Sequence, residues 1–300
     1  MDPLVILFGF LVGVLVGLTG VGGGSLMTPI LILIFGFKPV TAIGTDLAYG
    51  AVTKTVGGWR HWRARTVNPS LSWWMALGSV PAAVSGVWVL SVIRHAAGKG
   101  FDDTVLNIVA AALLFTGAAT LARALFLPKV VEKERESFVL ERRHKISAIV
   151  LGGFVGFVLG ITSAGSGSLI AVGLIMLFRL APRQVVGTDV FHAAILLWAA
   201  ALAHVVAGNV DFGLAGTILI GSVPGVWVGS HWSIRTPVAA LRTTLGVILI
   251  AAGLALLYKA GAAIPIPVLA GLPLGLLAWL LAKELLRRRR LATPVPAAER

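Results

Sequence analysis

The stretch Gly17-Leu-Thr-Gly-Val-Gly-Gly-Gly-Ser25 returns later in the chain as Gly160-Ile-Thr-Ser-Ala-Gly-Ser-Gly-Ser168, an offset of 143 residues from Gly17 to Gly160. Without a gap, the same offset relates two further pairs of motifs: Gly44-Thr-Asp46 with Gly187-Thr-Asp189, and Gly78-Ser-Val-Pro81 with Gly221-Ser-Val-Pro224. About a third of the positions between Gly9 and Gly86 match their partners, far more than shared hydrophobicity would give. The sequence is therefore interpreted as a duplicated half.

The composition predicts an all-α polytopic membrane protein. Hydrophobic residues make up 57% of the 300 residues and charged residues only 12%, against roughly 45–50% apolar residues in soluble domains. Apolar runs recur along the chain, and about 20 apolar residues let an α-helix cross a bilayer. A membrane β-barrel would instead show short alternating strands.

The formal charge of +13 does not predict nucleic-acid binding. The basic residues lie in loops and near the C-terminus, notably at Arg287–Arg290, where cytoplasmic retention and anionic membrane lipid account for them. The chain has no cysteine, which excludes thiol chemistry and cysteine metal sites. No cofactor is expected, because Gly98-Lys99-Gly100 lacks the spacing of an ATP-binding loop and no strand precedes the glycine-rich segments.

The two halves are predicted to have opposite orientations in the membrane. Arg60, Arg63 and Arg65 follow the apolar run 40–58, whereas the corresponding loop at 208–211 has neither Lys nor Arg. Basic loops stay on the cytoplasmic side, so the first loop is expected inside and the second outside. The repeats are then inverted, in a cell inner (cytoplasmic) membrane, with the N-terminus outside and the C-terminus cytoplasmic.

This topology requires the opening segment of each half, 3–36 and 146–180, to leave and return on one face of the membrane. Each opener is therefore expected to be a broken or re-entrant helix hairpin, which gives about 7 full spans plus 2 hairpins. The predicted organisation has five segments: a first transmembrane repeat at 1–127, a charged cytoplasmic linker at 128–145, a second transmembrane repeat at 146–260, an additional C-terminal transmembrane helix at 261–286, and a basic cytoplasmic tail at 287–300.

The glycine-rich segments Gly20–Gly24 and Ser163–Gly167 are the predicted breaks in these openers, because several adjacent residues are poor helix formers. Unwound backbone is tolerated in a membrane where it lines a cavity. The helix that follows each break points free amides and a positive dipole end at that cavity, which favours a small anion. The predicted substrate-binding residues are Gly22, Gly23, Gly24, Ser25, Thr45, Gly165, Ser166, Gly167, Ser168 and Thr188.

Asp46 and Asp189 are acidic residues inside apolar runs, at the same repeat position. Such carboxylates are costly in a membrane and commonly functional, so proton coupling is one interpretation. The other is structural: each Asp bonds local backbone amides or a Thr near its helix start. His192 shares a helix face with Asp189 and is the third predicted proton-coupling residue. Lys54 is interpreted as reaching the cytoplasmic headgroups, with attraction of anions as the alternative.

Two further function classes use the same residues. An intramembrane hydrolase would take Ser166 or Ser168 as nucleophile and His192 or His204 as base. The repeat argues against this class. Ser168 corresponds to Ser25 in the first half, but His192 corresponds to Tyr49, so the nucleophile would be duplicated without its base. Such a duplication makes poor catalytic sense. An anion channel would use the same cavity without alternating access, and uphill transport would separate the two.

At these residues the chain resembles the sulfite exporter TauE/SafE family of bacterial permeases. The resemblance covers nearly the whole chain and rests on five motifs: Gly20-Val-Gly-Gly-Gly-Ser25, Gly44-Thr-Asp-Leu47, Gly187-Thr-Asp189, His204 with Gly208-Asn-Val-Asp211, and Gly221-Ser-Val-Pro-Gly225. It implies export of sulfite, sulfonates or related anions by a secondary, proton-linked route, with the anion, protons and membrane lipid as partners. The resemblance leaves open whether the protein forms a homo-oligomer.

Overall fold

The computed structural model describes residues 2–19, 24–126, 140–232 and 238–292, and these form α-helices joined by short connections. The helices, in chain order, are α1 (Pro3–Thr19), α2 (Gly24–Leu33), α3 (Pro39–Arg63), α4 (Pro69–Ala97), α5 (Phe101–Phe126), α6 (Arg142–Thr162), α7 (Ser166–Phe178), α8 (Pro182–Val206), α9 (Phe212–Trp232), α10 (Val238–Lys259) and α11 (Ile266–Ala292). Helices α1 to α5 correspond to α6 to α10 under the repeat offset. A 3₁₀ turn at Gly98–Gly100 joins α4 to α5.

The halves interlock through parallel pairs of helices. Helix α6 packs along α4, and the equivalent helix α1 packs along α9. Glycines make both contacts: Gly156 lies against the backbone of Ser79, and Gly13 lies against the backbone of Ser222, the copies of those two residues. A Cβ at either glycine would collide with the neighbouring carbonyl group. The absence of a side chain therefore lets the helix backbones approach closely, as is common in membrane proteins.

The copies α3 and α8 pack against each other in antiparallel fashion at the centre of the molecule. Gly50 of α3 lies beside Leu197 of α8, whereas Gly57 lies beside Val190, so one helix ascends as the other descends. Helices α5 and α10 are antiparallel as well, since Gly117 approaches Gly246 and Gly253 approaches Ala110. In these two pairs, the equivalent helices run in opposite directions.

The Gly-Thr-Asp motifs fasten a loop to the beginning of each central helix. The hydroxyl of Thr45 accepts a hydrogen bond of 3.0 Å from the backbone amide of Asp211. In the other half, the Thr188 hydroxyl accepts one of 3.0 Å from the amide of Asn68. The Asn68 and Asp211 side chains also cap the first turns of α4 and α9.

Four described helical segments are long and apolar enough to cross a membrane: 69–124, 142–162, 182–206 and 212–229. Together with the helical architecture they confirm a polytopic α-helical membrane protein, while the number of seven full spans stays a prediction. Residues 287–292, the first part of the predicted tail, form the end of α11, since Leu and Arg are good helix formers. Most of the predicted linker, 128–139, lies outside the described residues.

Candidate functional site

Each opening segment contains two helices, and the second helix of the first opener contacts the break between the two helices of the other. Helix α6 ends at Thr162 and α7 begins at Ser166, with Ser163 (φ 58°) and Gly165 (φ 101°) in left-handed conformations between them. Helix α1 ends at Thr19 and α2 begins at Gly24. The backbone amide of Gly165 donates a hydrogen bond of 3.3 Å to the hydroxyl oxygen of Ser25. The second residue of α2 therefore contacts the break of the opposite half.

The carboxyl group of Asp46 belongs to this junction. Its Oδ2 atom accepts hydrogen bonds from the hydroxyl of Thr28 in α2 (2.5 Å) and from that of Ser163 (2.8 Å). The two hydroxyl oxygens are 2.6 Å apart, and Tyr49 faces the same carboxyl group from the next turn of α3. Asp46 is only 1% exposed. A carboxyl group of one half is thus bonded to the break of the other half through short hydroxyl side chains.

Helix α5 adds two hydroxyls on the other side of α7. Thr120 donates a hydrogen bond of 2.7 Å to the Ser168 hydroxyl oxygen. A Cβ at Gly165 would lie 3.3 Å from the Thr116 hydroxyl oxygen, so this side chain borders the break. Both threonines are buried. Sequence analysis missed them, together with Thr28, although two threonines four residues apart on an apolar helix already mark one polar face.

The first turn of α7 begins without a side-chain cap. Its N-cap residue, Gly165, has no side chain to bond the amides that follow. Ser166, Gly167 and Ser168 form this turn, and the serines are buried. Uncapped amides at the positive end of a helix dipole bind anions readily. Of the predicted residues in the first half, Gly24 and Ser25 begin α2, while Gly22 and Gly23 lie outside the described residues.

The surroundings of Asp189 are different. Lys54 of α3 interacts electrostatically with this carboxylate, and it is only 6% exposed. The expectation that Lys54 reaches the headgroups is wrong, because antiparallel packing of α8 on α3 encloses its amino group inside the protein. His192 lies in the same part of α8, and its Nε2 atom is 2.9 Å from the hydroxyl of Ser79 in α4.

The two carboxyl groups are not brought together. In the antiparallel register of α3 and α8, Asp189 lies near the level of Gly58. This is about twelve residues, or roughly 18 Å at the rise of an α-helix, from Asp46. Asp46 therefore lies at the break between α6 and α7, and Asp189 lies away from it. The hydroxyls of Thr45 and Thr188 accept hydrogen bonds from the loops described above, and both residues are fully buried.

A helical membrane protein made of two interlocked halves, whose short helices α2 and α7 are in contact near their first residues, has the architecture of a membrane transporter. The family model described as "Sulfite exporter TauE/SafE" matches residues 5–256. The chain belongs to this family, and it is a membrane transporter rather than an enzyme.

Curated relatives have names of the same kind. The chain is 38% identical to "Probable membrane transporter protein YjnA" of Bacillus subtilis (strain 168), over 86% of this chain and 100% of the relative. It is 28% identical to "Probable membrane transporter protein YdhB" of the same strain, over 85% of this chain and 100% of the relative. A third, "Probable membrane transporter protein MJ0441" of Methanocaldococcus jannaschii, is 28% identical over 56% of this chain and 59% of its own length. No solved structure matches the chain.

Proposed function

We propose that this protein is a secondary transporter that exports sulfite, sulfonates or related small sulfur-containing anions across the cytoplasmic membrane, coupled to protons. The contact between Ser25 of α2 and the break before α7 carries the proposal. Gly165 bonds Ser25 across the halves, and the uncapped first turn of α7 starts at the same junction. Family membership supports the choice of a sulfur anion.

The substrate would bind at the first turns of α2 and α7. Backbone amides and the Ser25 and Ser168 hydroxyls would donate hydrogen bonds to its oxygen atoms, and the helix dipoles favour its charge. Thr120 would hold the Ser168 side chain in position, since their hydroxyl oxygens are 2.7 Å apart. The site needs only the backbone amides and hydroxyl groups already present.

Asp46 would couple protonation to transport. A carboxylate next to an anion is repulsive, whereas a protonated carboxyl group is neutral, so the anion favours the protonated state. Because Asp46 bonds Ser163 and Thr28, loss of its proton changes hydrogen bonds at both short-helix junctions. Asp189 and His192 would contribute to proton coupling in the other half, where Lys54 supplies a compensating positive charge.

The proposed orientation places the α3–α4 loop in the cytoplasm and the α8–α9 loop outside. The antiparallel packing of α3 on α8 supports inverted repeats, since the basic loop and its copy without Lys or Arg then reach opposite faces. Labelling from one side of sealed vesicles tests it, with a cysteine introduced at Ala64 in one variant and at Ala207 in another. Labelling of both from the same side would contradict the inverted topology.

The transport experiment uses purified protein in proteoliposomes, labelled sulfite or a sulfonate, and an imposed pH gradient. We expect uphill accumulation that collapses when the gradient is dissipated. Asp102→Asn, at an exposed acid outside the site, serves as the matched control for Asp46→Asn. Transport of no sulfur anion would overturn the substrate. Flux that follows the electrochemical gradient of the anion alone, without accumulation against it, would identify a channel instead.

A further inference from the structure

A basic and aromatic groove lies where α3 ends and α4 begins. It has a volume of about 610 Å³, and it is lined by Trp59, Trp62, Arg63, Arg65, Val67 and Pro69. Sites for small molecules range over roughly 300–1,000 Å³. The groove is separate from the junction of the breaks, and nothing in the proposed transport cycle uses it.

Its aromatic walls are held in place and still accessible. The Arg63 guanidinium lies 4.9 Å from the centre of the Trp59 ring, at a distance typical of cation–π contacts. The Trp62 ring stacks on Phe191 of α8 with 5.1 Å between centres. Trp59 is 57% exposed and Trp62 is 48% exposed. The groove therefore presents two indole faces and two guanidinium groups.

Arg65 occupies a backbone position that suits glycine. Its φ of 53° is left-handed, and the corresponding residue of the second half, Gly208, has a φ of 68°. The two turns have the same hydrogen bonds, from Arg65 to Trp62 and from Gly208 to Val205. Side chains other than glycine are strained in this conformation. The turn itself gives no reason for an arginine there, whereas a ligand in the groove does.

The second half has no equivalent groove chemistry. The residues that correspond to the six lining positions are apolar or glycine: Leu202, Val205, Val206, Gly208, Val210 and Phe212. Because the backbone turn is the same in both halves, the basic and aromatic side chains are a property of one loop and not of the fold. The sequence predicts that this loop lies at the cytoplasmic leaflet of the membrane.

We propose that the groove binds the phosphate group of an anionic phospholipid. Arg63 and Arg65 would hold the phosphate oxygens, since guanidinium groups bind them with two parallel hydrogen bonds. The glycerol and upper acyl chains would lie on Trp59 and Trp62, because indole rings favour the interface of the bilayer. Basic pockets next to membrane helices recognise lipid headgroups in this way. Inorganic phosphate offers the same phosphate group without the glycerol and the acyl chains.

The test compares three single variants of the full chain in nanodiscs: Arg63→Gln, Arg65→Gln and the control Arg60→Gln. Arg60 precedes the groove on α3, is exposed, and does not line it. Retention of phosphatidylglycerol is measured by native mass spectrometry, against phosphatidylcholine. We expect the unmodified protein and Arg60→Gln to retain phosphatidylglycerol, and the other two variants to lose at least about tenfold in affinity. Equal losses in all three variants would mean a general charge effect and would overturn the site.

Two further measurements sharpen the result. Addition of inorganic phosphate to protein in phosphatidylcholine nanodiscs distinguishes a lipid headgroup from free phosphate as the ligand. We expect no saturable rise in the melting temperature with inorganic phosphate. A rise as large as that given by phosphatidylglycerol would overturn a lipid site. Arg65→Gly restores the residue that suits the turn. It should raise the melting temperature without anionic lipid and yet reduce phosphatidylglycerol retention. A stabilised variant that retains the lipid normally would contradict the role of Arg65.

Discussion

The two buried carboxyl groups occupy equivalent places in the duplicated chain, but their surroundings differ. Asp46 is bonded by the hydroxyls of Thr28 and Ser163, whereas Asp189 has the charge of Lys54 nearby. At the position that corresponds to Lys54, the second half has Leu197. A duplicated scaffold therefore carries one carboxyl group among neutral donors and one beside a cation. From this comparison we propose that Asp46, whose described partners are neutral, is the carboxyl group whose proton exchange is most closely linked to transport.

The largest expected effect comes from Asp46→Asn. Asparagine keeps the size of the side chain and cannot release a proton, so we expect accumulation driven by a pH gradient to fall at least about tenfold. Exchange of labelled for unlabelled anion across liposomes without a gradient should persist. The measurement is uptake at a series of imposed gradients, beside Asp102→Asn. Normal gradient-driven uptake by the Asp46 variant would remove this residue from the coupling.

The second prediction concerns the charge pair. Asp189→Asn leaves the buried Lys54 amino group without its carboxylate, which should lower the free energy of unfolding by about 3 kcal/mol. Adding Lys54→Leu, the residue of the other half, should recover most of that loss. Thermal unfolding in detergent of the single and double variants checks this. A double variant no more stable than Asp189→Asn would show that the two residues do not depend on each other.

The third prediction separates scaffold from site. Thr45→Val and Thr188→Val each leave a backbone amide without its acceptor, at Asp211 or Asn68, and should cost about 1–2 kcal/mol of unfolding free energy. The two losses should be similar, because this part of the two halves has the same geometry. Unfolding and transport are measured on both. Loss of transport with full stability would instead support the direct substrate contact that the sequence predicts for these threonines.

The smallest effect is expected for Thr28→Val. This change removes one of the two hydroxyls that bond Asp46 and keeps the shape of the side chain, so the loss of stability should be about 1 kcal/mol. The pH dependence of transport should shift, because the Asp46 carboxylate loses one hydroxyl donor. The reverse change in the other half, Ala171→Thr, is a matched control at the corresponding position. A shift of equal size in that control would contradict a special role for the Asp46 surroundings.

Much of the fold could be predicted because the evidence is periodic or repeated in the chain itself. Apolar runs gave the helices, and glycine-rich segments gave the positions of the breaks. The contact between Ser25 and the opposite break also follows from two similar openers. Thr28, Thr116 and Thr120 were missed, because the contacts that give these threonines a role are made to other helices. Lys54 was misinterpreted for the same reason: its neighbour is 135 positions further along the chain, from Lys54 to Asp189.

The sequence by itself determined a membrane-embedded helical protein of two related halves, the positions of its breaks and the family to which it belongs. These properties depend on composition and local spacing, which act within one or two helical turns. Only the tertiary structure decided which helices interlock, that Asp46 bonds the break of the other half while Asp189 lies near Lys54, and that the carboxyl groups are far apart. Those properties depend on how close two backbones can come, and the glycines that set the distance lie on different helices.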